Sequence, residues 1–150
     1  MRAQPATERT FLVVHGAWSG GWSWRRMRPL MQAAGIALHT PTLTGLGERA
    51  HLASPHIDLE THINDILGVL HMEDLTDVTL IGFSYGGMVA TGAADRSRDR
   101  VARLIYLDAF VPENGKSLYE LIGRSVPANS DWRVEPNPIP PDTSEADVRW

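Results

Sequence analysis

Four short runs rich in apolar residues, each halted by turn-forming residues and separated by helix-like stretches, constrain this chain more than any other feature. Thr10-Phe-Leu-Val-Val14 stops at His15-Gly16, and Ile36 to Leu43 gives way to the glycine-rich Thr44-Gly-Leu-Gly-Glu-Arg49. Asp77-Val-Thr-Leu-Ile-Gly-Phe83 runs into Ser84, and Arg103-Leu-Ile-Tyr-Leu-Asp108 closes the series. Runs that stay apolar instead of alternating belong to strands covered on both faces, the environment of a parallel sheet. The intervening stretches read as helices. Trp24, Met27, Met31 and Ala34 fall at helical spacing before Gly35, a natural terminator, with Pro29 expected to kink this helix or start a new turn. Asp58 is a good N-cap for Leu59, Ile63, Ile66, Leu67 and Leu70, and Tyr85 to Ala94 is a helix of small residues. The order β-α-β-α-β-α-β predicts an α/β fold, a parallel sheet with flanking helices.

At 150 residues the chain has the size of one domain, and 43% apolar against 21% charged residues is enough to fill a core. The sheet-forming core is expected over residues 1–111. From 112 to 150 the character changes: five of the ten prolines lie between Pro127 and Pro141, and no glycine follows Gly123. This segment reads as the start of a lid, with a short helix over Tyr119 to Arg124. A net charge of −4 with no run of like charge longer than two residues argues against nucleic acid. The start has no apolar h-region and no 18-residue apolar run follows, so no membrane contact is predicted and the expected location is cytoplasmic. Cysteine is absent, which excludes disulfides, thiolate nucleophiles and cysteine-based zinc sites.

Gly82-Phe83-Ser84-Tyr85-Gly86 matches G-x-S-x-G. A random chain of this length holds that pattern roughly one time in twenty, so its context must carry the weight. It follows an apolar strand and opens a helix of small residues, the strand-turn-helix setting in which a serine is exposed on a strained turn. Gly82 and Gly86 leave room beside the serine, and Gly87 lets the helix lie close to the sheet. The helix N-terminus offers unpaired N–H groups to a developing oxyanion.

Taken with Val14-His-Gly-Ala-Trp18, Gly20-Gly-Trp-Ser-Trp24, Thr44-Gly-Leu-Gly-Glu-Arg49, Asp58-Leu-Glu-Thr-His62 and Leu107-Asp-Ala-Phe-Val-Pro112, this elbow resembles the α/β-hydrolase superfamily. The likeness is to the esterase branch of plant methylesterases and hydroxynitrile lyases with their bacterial esterase relatives, and it runs from Phe11 to about Tyr119. It implies that Ser84 is the nucleophile and that the backbone N–H groups of Ala17 and Tyr85 form the oxyanion hole. Phe83 stands where histidine often precedes the serine, a change expected to alter packing more than chemistry. The resemblance implies no cofactor.

His15, before Gly16, is expected to be structural, holding the oxyanion loop by hydrogen bonds. His39, His51, His56, His62 and His71 read as solvated or partly buried polar residues, and their spacings form no metal motif. Trp24 is assigned to packing. Trp18, next to Ala17, either packs in the core or faces an acyl pocket as a substrate-binding residue. Arg96, Arg98, Arg100 and Arg103 read as a solvated basic run in a loop.

A serine nucleophile needs a histidine base and an acid to orient it, in the superfamily order Ser, acid, His. All six histidines lie between residues 15 and 71, before Ser84. Asp108 ends the fourth run, a position some α/β-hydrolases use for the acid. The alternatives are a turn carboxylate there and an acid beyond this chain. An apolar run at Arg103 to Leu107 would also lie at an open sheet edge. The chain is therefore expected to be an N-terminal portion, inactive alone, whose partner is the remaining part of the fold or a second chain supplying it. The expected activity is a serine carboxylesterase acting on small esters through an acyl-enzyme. A hydroxynitrile lyase of the same fold and a non-catalytic binding protein are the alternatives.

Overall fold

The computed structural model describes residues 9–125, 131–134, 136 and 138–143. Four strands, β1 (Arg9–Val14), β2 (Ile36–His39), β3 (Val78–Ser84) and β4 (Val101–Ala109), form one sheet in the order β2-β1-β3-β4. Every neighbouring pair is parallel, with Leu12 opposite both His39 and Leu80, and Leu80 opposite Leu104. Helices α1 (Met27–Ala33), α2 (Leu59–Met72) and α3 (Gly86–Arg96) lie between successive strands, and the short α4 (Leu118–Leu121) follows β4. The parallel α/β architecture is as expected. Its strand order is new information: from β1 the chain steps outward to β2, then crosses back to the other side for β3 and β4.

The core forms where one side chain in two along β1 and β3 meets α2 and α3. Leu12, Val14, Val78 and Leu80 pack with Ile63, Ile66 and Leu70 of α2 and with Val89, Ala90 and Ala93 of α3. The two helices approach closely because α3 carries small residues, and Glu60 pairs in bidentate fashion with Arg96 across them. Asp58 caps α2 through a capping box with Thr61, which satisfies first-turn donors and fixes where the helix begins. On the opposite face α1 is thinly packed, with Leu30 67% exposed.

Several boundaries depart from the sequence-based expectation for local reasons. β2 ends at His39 rather than Leu43, since Pro41 has no N–H to give to a ladder. Trp24 falls in a separate 3-10 turn, Gly21–Trp24, so α1 begins only at Met27. Pro29 then occupies its first turn, where the missing N–H has no intrahelical acceptor in any case. Gly35 ends this helix at φ +70°, as its sequence position implied. The short helix expected over Tyr119 to Arg124 spans Leu118–Leu121, capped by Ser117 and Glu120.

The basic run is not uniformly a solvated loop. Arg96 closes α3, and Arg98 pairs with Asp95 at the surface. Arg103 belongs to β4. Arg100 is drawn inward, donating from Nη1 to the carbonyls of Leu70 at 3.3 Å and Leu75 at 3.0 Å, so it terminates α2. β4 is an edge strand among the described residues, with Ile105 and Leu107 40% and 45% exposed. No helix of the described residues is long and apolar enough to cross a membrane. Residues 126–130, 135, 137 and 144–150 of the expected lid lie outside the described residues.

Candidate active site

The strand order reverses between the parallel neighbours β1 and β3, so the loops that follow them leave to opposite sides of the sheet and part in a crevice at their carboxyl ends. Such switch points are where open α/β sheets bind ligands. β1 delivers His15, Gly16, Ala17 and Trp18 to this crevice, and β3 delivers Ser84 and Tyr85.

Ser84 lies on the turn between β3 and α3 with φ +53°, a left-handed conformation that costs a non-glycine residue of order 1–3 kcal/mol. The turn is held from two sides. Phe110 N–H donates to the Ser84 carbonyl at 3.1 Å. Gly86 lies so close beneath β1 that a Cβ there would sit 2.2 Å from the Val14 carbonyl oxygen. From the β1 side, a Cβ on Gly16 would come within 3.0 Å of Ser84 Cβ and 3.4 Å of its Oγ. Bare backbone at residue 16 therefore lets the loop after β1 lie directly against the Ser84 side chain. Tyr85 takes the helical conformation as the N-cap residue of α3, where backbone N–H groups have no intrahelical acceptor. Ala17, half-buried, follows Gly16, and Trp18 turns the loop away with φ +55°.

His15 is fully buried, and its hydrogen bonds define its tautomer. Nδ1–H donates to the Gly16 carbonyl at 2.7 Å, and Nε2 accepts from Leu43 N–H at 3.0 Å. Burial holds its pKa below the ordinary histidine value. A neutral ring with both nitrogens committed fastens the loop after β1 to the loop after β2, as expected of a structural histidine.

His62 departs from the expectation of an ordinary polar residue. It is buried on α2, with Nδ1 2.9 Å from Tyr85 Oη and Nε2 2.9 Å from the Thr44 carbonyl. The same loop is fastened to α2 a second time: Asp65 accepts from Thr44 N–H at 2.6 Å and Thr44 Oγ1 at 2.8 Å. Further out, Thr42 Oγ1 donates to Glu48 at 2.6 Å and accepts from Gly21 N–H at 2.8 Å. The Thr42 hydroxyl holds the Glu48 carboxyl below the usual carboxylate range. Sequence reasoning missed Thr42, Glu48, His62 and Asp65 as a network. The glycine-rich Thr44 to Arg49 stretch and the Asp58 to His62 motif were its visible signals.

Asp108 occupies a bulge. Phe83 pairs with Leu107 but Ser84 with Ala109, so Asp108 is the extra residue, at φ +44°. It is exposed, so the cost of a buried carboxylate anticipated from its apolar neighbours does not arise. Trp18 is 48% exposed, which removes the core-packing alternative, and its indole N–H donates to the Val134 carbonyl at 2.6 Å. Trp24 packs edge-on against Phe83, with ring centroids 6.1 Å apart. Among the described residues no group of three His, Asp or Glu side chains is arranged to hold a metal ion.

Residues 11–150 match the model of the "Alpha/beta hydrolase family". The carbendazim hydrolyzing esterase of Nocardioides sp. (strain SG-4G) is 52% identical over 117 residues, covering 78% of this chain and 48% of that protein. Salicylic acid-binding protein 2 of Nicotiana tabacum is 32% identical over 127 residues, covering 80% and 48%. Among solved structures, an extracellular alpha/beta-hydrolase from a Paenibacillus species superposes with a TM-score of 0.68 at 25% identity, covering 77% of this chain and 49% of that one. The chain thus spans about half the length of the curated relatives it matches. With a parallel sheet, a left-handed serine at the switch point and a family match from residue 11 onward, this chain belongs to the alpha/beta hydrolase family.

Proposed function

We propose that this chain carries the nucleophile and oxyanion hole of a serine carboxylesterase acting on small esters. Ser84 Oγ attacks the ester carbonyl carbon while its proton passes to a histidine. The carbonyl oxygen becomes an oxyanion held by the N–H groups of Ala17 and Tyr85. Collapse breaks the C–O bond, the alcohol leaves with the proton, and water hydrolyses the acyl-enzyme by the same steps in reverse roles. The base comes from the remaining part of the fold, on the same polypeptide or a second chain, since every histidine here precedes Ser84. Asp108 orients that base: its bulge sets an exposed carboxylate one residue before the register partner of Ser84. Trp18, exposed beside Ala17, faces the acyl pocket. Residues 1–111 form the catalytic core and 112–150 begin the lid.

The observation that carries this reading is Ser84 at φ +53° with the glycine backbone of residue 16 against its side chain. Esterase activity in the 52% identical relative supports the reaction class. A fluorophosphonate is expected to label Ser84 in the full natural polypeptide. Ser84→Ala should abolish labelling and lower ester turnover to less than about a thousandth. Hydrolysis persisting above that level would overturn the assignment.

A further inference from the structure

Asp58-Leu-Glu-Thr-His62 has no part in the chemistry above, yet it ends on a buried side chain that reaches the elbow. The Thr44 carbonyl can only accept, so His62 Nε2 carries the proton and Nδ1 accepts from the Tyr85 hydroxyl. The two rings meet edge-on with centroids 5.7 Å apart. Burial raises the pKa of the Tyr85 phenol, which keeps it protonated as the donor in that bond. His62 is itself fixed twice. The Asp58–Thr61 capping box sets the start of its helix, and its acceptor Thr44 is clamped by Asp65. A rigid path thus runs from α2 through His62 to the side chain of the residue that directly follows Ser84.

We propose that His62 is a positioning residue for the oxyanion hole: by gripping the Tyr85 hydroxyl it holds the Tyr85 backbone N–H in line with Ser84. The inference rests on the serine esterase reading. Its logic is that of preorganisation. A donor aimed at the developing oxyanion works only if its direction is fixed before the charge appears, and a backbone N–H can be fixed through its own side chain. A purely structural histidine would instead serve the Thr44 carbonyl, with the Tyr85 contact incidental.

Two substitutions separate the nitrogens in the full natural polypeptide. His62→Gln places an amide near the position of Nε2, keeping the donor to Thr44 while removing the acceptor for Tyr85. His62→Asn places its carbonyl near Nδ1 and does the opposite. The expected result is that His62→Gln lowers kcat about tenfold to a hundredfold with KM within about twofold, whereas His62→Asn keeps more than about a third of kcat. Tyr85→Phe, which leaves the His62–Thr44 bond alone, should match His62→Gln, and the double variant should lose no more than either. Affinity for a trifluoromethyl ketone, whose adduct places an oxyanion in the hole, should fall by the same factor as kcat/KM. If His62→Gln does not fold, Tyr85→Phe alone decides.

The proposal is overturned if Tyr85→Phe keeps kcat within about twofold, or if the losses follow melting temperature instead of the Tyr85 bond. Wild-type protein that is labelled at Ser84 and active, with insensitive variants, removes only the positioning role. Wild-type protein neither labelled nor active removes the esterase reading, and the positioning role with it.

Discussion

The carboxyl ends of β1 and β3 contrast with the carboxyl end of β4 and the segment beyond it. In the first region the chain is glycine-lined and, Trp18 apart, buried or half-buried, and its loops are tied to one another and to α2. His15 joins the loops after β1 and β2, while His62 and Asp65 join the second of these to α2 and the elbow. In the second, Asp108, Val111 and residues 113–117 are exposed, and the later chain reaches back through Trp18 to Val134. Both regions would serve one reaction. The difference teaches that Ser84, Ala17 and Tyr85, proposed above as nucleophile and oxyanion donors, sit where packing and hydrogen bonds determine position, while Asp108, proposed as the acid, sits where they do not.

The largest expected effect tests whether the loose side nevertheless does chemistry. Asp108→Asn in the full natural polypeptide should lower kcat about 10⁴-fold by stabilising the wrong histidine tautomer, with melting temperature unchanged. A loss below about tenfold would give the orienting role to another acid and leave Asp108 a bulge residue. Next in size is a pair of glycine substitutions read by thermal unfolding. Gly86→Ala puts a methyl group 2.2 Å from the Val14 carbonyl oxygen and should destabilise by about 3 kcal/mol. Gly115→Ala, at φ +75° with open space around its Cβ, should cost only about 1 kcal/mol. Similar losses at both would erase the contrast between the two regions.

A pH titration of stability probes the tight region alone. Burial lowers the folded-state pKa of His15 below the ordinary histidine value of 6.5, so the unfolded chain binds the proton more readily. The stabilisation is complete above pH 6.5 and is lost as pH falls below it, by up to about 1.4 kcal/mol per pH unit. His15→Gln should be less stable at neutral pH and should flatten that slope; an unchanged slope would mean that another group causes it. Smallest is Trp18→Phe, which removes one hydrogen bond to Val134 and should shift stability by about 1 kcal/mol at most. Limited proteolysis should nevertheless cut the Trp18→Phe chain faster at residues 131–134, which lose that tie.

Much of this division is written locally in the sequence. The four apolar runs became four strands because continuous burial and flanking turn residues are short-range properties. Asp58 and Gly35 marked helix ends because capping is decided within a few residues. Ser84 was legible for the same reason, since a strained turn needs glycines at fixed offsets. The strand order was not legible, because no local signal states on which side of β1 the chain returns. The bulge at Asp108 depends on register against β3, and the His62–Tyr85 bond joins residues on different elements. Pro41 did carry a short-range signal that β2 must stop early.

The strand order has a kinetic corollary. β1 meets β2 through a short crossover and β3 meets β4 through another, but β1 meets β3 only by bringing Phe11 against Thr79 across everything between them. Closing that long loop is the entropically slow event in assembling this sheet. It is also the event that creates the crevice, so Ser84 and the loop after β1 are brought together in that one step. A ligand lodged between them would bind only after that step, and would act first on the rate at which the sheet comes apart.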